Sequence, residues 1–277
     1  MEWLEDHKLP LGKWVQKFVD WLTDNAAWFF DGLAYLLETV IDAMLWCLQT
    51  PPALVVVAVI TLLSWLARRS PWFSLFTLLG LLLIINQGYW EETTETLALV
   101  IASAVVCMGV GVPVGIAAAR RPWLMNALSP ILDLMQTIPT FVYLIPALIL
   151  FGLGMVPGLI ATVIFAIPAP IRLTHLGITS TPTALIEAGE SFGATRRQLL
   201  WKVELPYAMP QIMAGLTQTI MLSLSMVVIA ALVGASGLGV PTLRALNTVN
   251  IAKGFEVGIA IVLVAIIFDR MFKRGNK

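Results

Sequence analysis

The chain has 277 residues, 58% of them hydrophobic and 12% charged, with no net charge and a mean hydropathy of +0.87. A soluble domain carries about 25% charged residues, so this composition points to a medium where charge is costly, the bilayer. Zero net charge argues against the basic surface that a nucleic-acid partner requires, and 2 histidines with 2 cysteines make a metal centre or a disulfide framework unexpected.

The first residues, Met1 to Lys17, are charged and lack a continuous apolar core, so no cleavable signal is expected and insertion falls to the mature helices. From Trp14 to Leu45 apolar residues recur at helical spacing, with Lys17, Asp20, Asp24, Asp31, Glu38 and Asp42 between them. A polar stripe opposite one rich in Trp and Phe describes an amphipathic helix lying in the interface. An eighth span through residues 33–50 is the alternative, but it would put Glu38 and Asp42 near mid-membrane. Residues 1–50 are read as a tail carrying the interfacial helix.

Crossing about 30 Å of hydrocarbon takes roughly 20 apolar residues in a helix. Ala53 to Ala67 and Trp72 to Gly88, flanking Arg68-Arg69, are two accessory spans within residues 51–90. Leu97 to Ala119 is uncharged and ends at Arg120-Arg121. Leu134 to Ile171 is too long for one crossing, and a turn at Gly152, Gly154, Pro157 and Gly158 divides it. Leu205 to Leu243 is also uncharged, with its helix ending by Val233 before Gly234, Gly237, Gly239 and Pro241; the last span runs from about Gly254 to Met271. The expected fold is an all-α membrane protein with about seven transmembrane helices, the last five forming a core over residues 91–277.

Basic residues stay cytoplasmic. Alternation across these spans gathers Arg68, Arg69, Arg120, Arg121, Arg172, Arg196, Arg197, Lys202, Arg270, Lys273, Arg274 and Lys277 on one face. The C-terminus and the loop over residues 180–210 are therefore expected inside, and the N-terminus in the periplasm. Trp72, Trp90 and Trp123 suit an aromatic belt.

That loop concentrates charge between uncharged runs: Glu187, Glu190, Arg196, Arg197, Lys202 and Glu204. Thr181-Pro182 reads as a helix start with proline in the first turn. Glu187 and Glu190 share a face, and Gly193 stops the helix as a C-cap glycine. Thr195 and Gln198 have capping-box spacing, and Leu205-Pro206 is expected to end the second short helix. Helix, bend, helix projecting from the membrane makes a rigid polar knob suited to a partner's groove. A solvated loop with ordinary charges is the plain alternative.

Glu187-Ala188-Gly189, then Gly193, then Leu205-Pro206, resemble the EAA signature of binding-protein-dependent ABC importer permeases, with Gly189 departing from the family's alanine. Further stretches are similar to the glycine betaine, proline betaine and choline branch. They include Asp133 to Leu144, Phe165 to Pro168 with Ile171 to Thr174, Ser191 to Ala194, and Leu224 to Ala230, so the likeness runs from about residue 90 to the end. The resemblance implies a MetI-like fold and a homodimer. It also implies two ATPase subunits contacted through Glu187, Ala188, Gly189, Gly193, Leu205 and Pro206, and a binding protein on the outer face. The cargo implied is a quaternary ammonium compound and the site a bacterial inner membrane.

No G-x-x-x-x-G-K-[ST] loop occurs in the sequence, so ATP and its magnesium are expected on the partner ATPase, with no catalytic residue and no cofactor in this chain. Gln136, Thr137 and Tyr143, beside Pro139, form a polar, proline-broken patch in an apolar stretch. That is either a packing kink or part of a translocation path. Asp133 is expected near Arg172, and Met221 and Met226 are read as helix filler rather than cation contacts. An ion-coupled secondary transporter is the competing function. It would place ionisable residues near the membrane midplane, where the core spans carry almost none.

Overall fold

The computed structural model describes residues 10–272, and these contain helices but no strand. In chain order the helices are α1 Leu11–Gln49, α2 Ala53–Arg68, α3 Pro71–Asn86, α4 Trp90–Arg120, α5 Pro122–Thr137, α6 Thr140–Phe151 and α7 Met155–Ala166. There follow α8 Pro168–Thr179, α9 Thr183–Ser191, α10 Arg196–Leu199, α11 Leu205–Ala230, α12 Gly239–Asn247 and α13 Ile251–Phe272. A π turn, Leu200–Glu204, joins α10 to α11, and a 3-10 turn, Ala231–Val233, ends α11. His7, Lys8, Lys273, Arg274 and Lys277 lie outside the described residues, and with them the C-terminal part of the basic face.

Proline and glycine set most of the boundaries. Pro71, Pro122 and Pro168 open helices where the missing N–H costs nothing. Gly152 and Gly154, at φ 75° and 142°, turn the chain from α6 into α7, and Gly234 at φ 87° closes α11. Among the described residues, four helical stretches have the length and hydropathy to cross a bilayer: Trp90–Arg120, Met155–Thr179, Arg196–Val233 and Ile251–Phe272. Two bent pairs add to them: Gly12–Gln49 with Ala53–Arg68 at 100°, and Pro122–Thr137 with Thr140–Phe151 at 95°. α3 is a shorter apolar helix. The proline-broken patch is an elbow at Ile138-Pro139, because the residue before a proline is driven out of the helical region.

The centre of the bundle is α4, α8 and α11. Their backbones approach because glycine stands where a Cβ would collide. At Gly111 it would lie 2.8 Å from Pro170, and at Gly115 2.7 Å from the Ile171 carbonyl. At Gly177 it would lie 2.9 Å from Ala208, and at Gly215 3.2 Å from Pro170. Such small-residue contacts are the means by which membrane helices associate without a hydrophobic driving force. Two buried hydroxyls pair across the centre: the Ser103 hydroxyl donates to Ser223 across 2.8 Å, and Ser223 donates to the Thr219 carbonyl at 2.8 Å.

α1 is one long helix with a break at Ala26, where φ is −125° and ψ 16°. Its later half lies across one end of the bundle. Phe30 meets Phe151 edge-on at 5.5 Å, Leu37 and Ile41 are buried in the cluster that holds Leu97 and Val156, and Gln49 donates to Thr94 at 2.8 Å. Phe151, Val156, Thr94 and Leu97 all belong to the Trp90 end of the helices they occupy. Phe30 and Gln49, about 28 Å apart along the helix, therefore both have partners at that end. Its acidic residues Asp20, Asp24, Asp31, Glu38 and Asp42 are exposed, as are Trp14, Trp21, Trp28 and Trp46.

Candidate functional site

The Thr181–Glu204 segment stands at the Arg120 end of the bundle, between α8 and α11. Pro182 occupies the cap position rather than the first turn, and α9 begins at Thr183. Gly193 at φ 75° ends α9, with its N–H on the Glu190 carbonyl at 2.8 Å and the Ala194 N–H on the Gly189 carbonyl at 3.1 Å. This is the Schellman pattern. The expected capping box is also present: Thr195 N–H donates to the Gln198 side chain at 2.8 Å, and Gln198 N–H to Thr195 Oγ1 at 3.3 Å.

Glu187, Ala188 and Gly193 are exposed, and Gly189 is half-buried because Leu199 packs on it. A Cβ at Gly189 would lie 2.5 Å from Leu199 Cδ2, so glycine here lets α9 settle against α10. Phe192, 93% exposed, and Leu185 and Trp201, also exposed, give the same surface apolar anchors.

One expectation fails. The second short helix does not end at Leu205-Pro206. It passes through the π turn, in which Leu205 N–H reaches the Leu200 carbonyl, and continues as α11. The extra residue in a π turn widens the ladder at the point where Pro206 has no N–H to offer and its ring would crowd a regular turn. Leu205 is buried with Ile178, Ala208 and Ile212, so its side chain belongs to the bundle, whereas Pro206 is exposed.

Gln136 and Thr137 end α5 and Tyr143 lies in the first turn of α6, on either side of the elbow. Gln136 donates weakly to the Phe165 carbonyl at 3.5 Å, Thr137 donates to the Asp133 carbonyl at 2.9 Å, and the Tyr143 hydroxyl is enclosed with no partner among the described residues. Tyr143 and Phe165 pack with Met226 and Ile229 of α11. Met226 is buried, while Met221 is exposed. Asp133 and Arg172 form an ion pair at 2.6 Å, both side chains partly exposed.

Sequence reasoning missed a second polar feature. Gln211, Gln218 and Ser225, with Met221, are exposed on α11 at helical spacing. Seven-residue steps of Gln, Gln, Ser on an otherwise apolar helix were the available signal. It also missed Arg120, whose guanidinium meets Glu204 at 2.7 Å and the Arg196 carbonyl at 3.4 Å.

At the other end, Gly234 to Leu238 folds onto the start of α4. Leu238 N–H donates to Thr96 Oγ1 at 2.8 Å, and Gly154 N–H to the Val233 carbonyl at 3.0 Å. Glu91, Glu92 and Glu95 lie nearby on the first turns of α4. In the turn before α4, the Tyr89 phenol meets Glu256 at 3.3 Å; burial first, then that carboxylate, pushes its pKa up.

Comparison with known proteins places this geometry. Residues 111–274 match the family described as binding-protein-dependent transport system inner membrane component. The glycine betaine transport system permease protein OpuAB of Bacillus subtilis is 47% identical over 265 residues, 95% of this chain and 93% of that one. The glycine betaine/carnitine transport permease protein GbuB of Listeria monocytogenes is 45% identical, over 97% of this chain and 96% of its own. The glycine betaine/proline betaine transport system permease protein ProW of Escherichia coli is 43% identical, over 97% of this chain and 78% of its own. These alignments take in the N-terminal region, well before the residue-90 limit of the sequence likeness. An inward-facing conformation of the MetNI methionine ABC transporter superposes with a TM-score of 0.57 and 26% identity, covering 63% of this chain and 88% of that one. The chain therefore belongs to the family of binding-protein-dependent transport system inner membrane components, a family of permease subunits rather than enzymes.

Proposed function

We propose that this chain is the membrane-spanning half of an ATP-driven importer for a small quaternary ammonium solute, with glycine betaine the first candidate. Two copies would enclose the pore, two ATPase subunits would dock at the Arg120 end, and a solute-loaded binding protein would dock at the Trp90 end. The observation that carries the reading is the Thr181–Glu204 segment. Glu187, Ala188 and Gly193 are exposed on a short, doubly capped helix pair that is rigid enough to transmit a push. The relatives named for glycine betaine support the cargo.

In this reading the Arg120 end is cytoplasmic, following its arginines, in a bacterial inner membrane. Seven crossings are α2, α3, α4, the α5–α6 pair, α7–α8, α11 and α13, and α1 rests in the outer interface. That position for α1 is supported by its partners, which all lie at the Trp90 end, and by its exposed carboxylates and tryptophans. Residues 1–50 are thus the tail, 51–90 two accessory helices and 91–277 the five-crossing core. The translocation path follows Gln218, Met221 and Ser225 of α11, with Gln136, Thr137 and Tyr143 at the elbow. Partly exposed polar groups at membrane depth belong beside a water-filled passage. Aromatic faces such as Tyr143 and Phe165 suit a quaternary ammonium cation. ATP and magnesium remain with the ATPase, and Glu187 is a mechanical contact rather than a catalyst.

The test is ATP-dependent uptake of labelled glycine betaine and choline by transport-deficient cells that express the chain with its ATPase and binding protein. A Glu187→Arg version, which puts a reversed charge into the contact, runs beside it. Uptake of one solute, lost in the variant while the complex still assembles, is expected. An assembled wild-type complex that takes up neither solute breaks the cargo assignment. Full uptake by Glu187→Arg breaks the coupling role.

A further inference from the structure

The junction between α10 and α11 is built differently from the rest of α11. In the π turn Leu200–Glu204 the regular ladder is replaced by a wider one, and Pro206 directly after it contributes no N–H. A π turn is a place where a helix bends. Arg120, the last residue of α4, reaches across this weak point. Its Nη2 lies 2.7 Å from Glu204 Oε2, at the end of the turn, and 3.4 Å from the carbonyl of Arg196, at the start of α10. The Glu204 side chain is 13% exposed and that of Arg120 33%, so the carboxylate is largely withdrawn from water while the guanidinium stays partly open to it. On the other side of the turn Leu199 is buried beneath Gly189 of α9. A continuous run of contacts therefore leads from α9 through Leu199 and the π turn to Arg120. It then enters α4, whose Gly111 and Gly115 pack directly on α8.

We propose that Arg120 is a positioning residue for coupling: its guanidinium fastens the Thr181–Glu204 segment to α4 across the π turn. A push on α9 is then delivered to α4 and α11 together instead of being absorbed by the turn. The inference rests on the importer reading above and adds to it a residue far from the α9 contact surface. Without the clasp the segment is held only by its two chain ends, at α8 and, through a turn that yields, at α11.

The experiment uses the complete importer, permease with ATPase and binding protein, in liposomes. It measures solute imported per ATP hydrolysed for wild type, Arg120→Ala, the milder Glu204→Gln and the exchanged pair Arg120→Glu with Glu204→Arg. Loss of a charge-assisted pair is expected to lower the ratio about fivefold in each single variant, and the exchanged pair should recover more than either single variant retains. An unchanged ratio in both single variants overturns the proposal, and so does an exchanged pair no better than the better of them. Hydrogen exchange of the 189–204 amides in the purified permease provides a readout independent of transport. It should be faster in Arg120→Ala and return towards wild type in the exchanged pair, and equal exchange in all forms overturns the clasp. Wild-type liposomes that import nothing would count against the importer reading and leave the exchange comparison to decide the clasp.

Discussion

The Thr181–Glu204 segment holds its shape with hydrogen bonds between residues close in sequence, whereas α4, α8 and α11 hold theirs by the closeness of backbones distant in sequence. In the first region Gly193, Thr195 and Gln198 satisfy the ends of two short helices. In the second, Gly111, Gly115, Gly177 and Gly215 leave room for Pro170, Ile171, Ala208 and Thr174. The contrast follows from the solvent each region meets. In water a short helix is lost to competing hydrogen bonds unless its ends are capped. In lipid the backbone satisfies itself, and association depends on how near two helices can come.

The comparison can be broken most severely in the membrane. Gly115→Val puts a branched side chain where even a Cβ would lie 2.7 Å from a backbone carbonyl, and an overpacked contact of this kind costs about 3 kcal/mol. The expected result is a marked fall in the unfolding midpoint in detergent, and a midpoint equal to wild type would mean that the helices are not pressed together there. A smaller effect belongs to Gly193→Val. The left-handed backbone at φ 75° penalises a branched residue by about 2 kcal/mol. Amide exchange should rise over 183–204 with the detergent midpoint unmoved, because the damage is local. A global loss of stability instead would mean that the caps also support the helix bundle.

Smallest is Gly189→Ala, which restores the alanine of the EAA signature. Alanine favours the helix by about 1 kcal/mol, and what its Cβ meets is the far end of the Leu199 side chain, which can turn aside. The net change should stay within about 0.5 kcal/mol and uptake near wild type. A large loss of uptake would show that the Leu199 seat is rigid.

The elements of the Thr181–Glu204 segment were legible because each rule involved acts within a few residues: a glycine after the last turn, and a threonine three before a glutamine. Pro206 is the instructive exception. Locally a proline ends a helix, yet α11 continues beneath it, since the π turn makes room and Leu205 is buried with Ala208 and Ile212. The elbow at Pro139 was visible as a break in the apolar run, but its 95° angle was not. That angle depends on where Leu132, Met135 and Leu144 find partners.

The Arg172–Asp133 pair was open to sequence reasoning because both residues interrupt apolar runs. The Arg120–Glu204 pair was not, since 84 positions separate its members and each charge had an ordinary explanation at a membrane surface. Sequence by itself determined the all-helical membrane fold, the capped helix pair and the family, because hydropathy, capping and motif spacing are properties of neighbours along the chain. Only the tertiary structure decided that α1 meets the bundle at Phe151 and Thr94, that Gln218 and Ser225 are exposed beside Met221, and that Arg120 of α4 reaches the end of the π turn. Those facts depend on which helices meet, and in an apolar chain many pairings share the same hydropathy. Glycine placement and a few buried polar groups select among them.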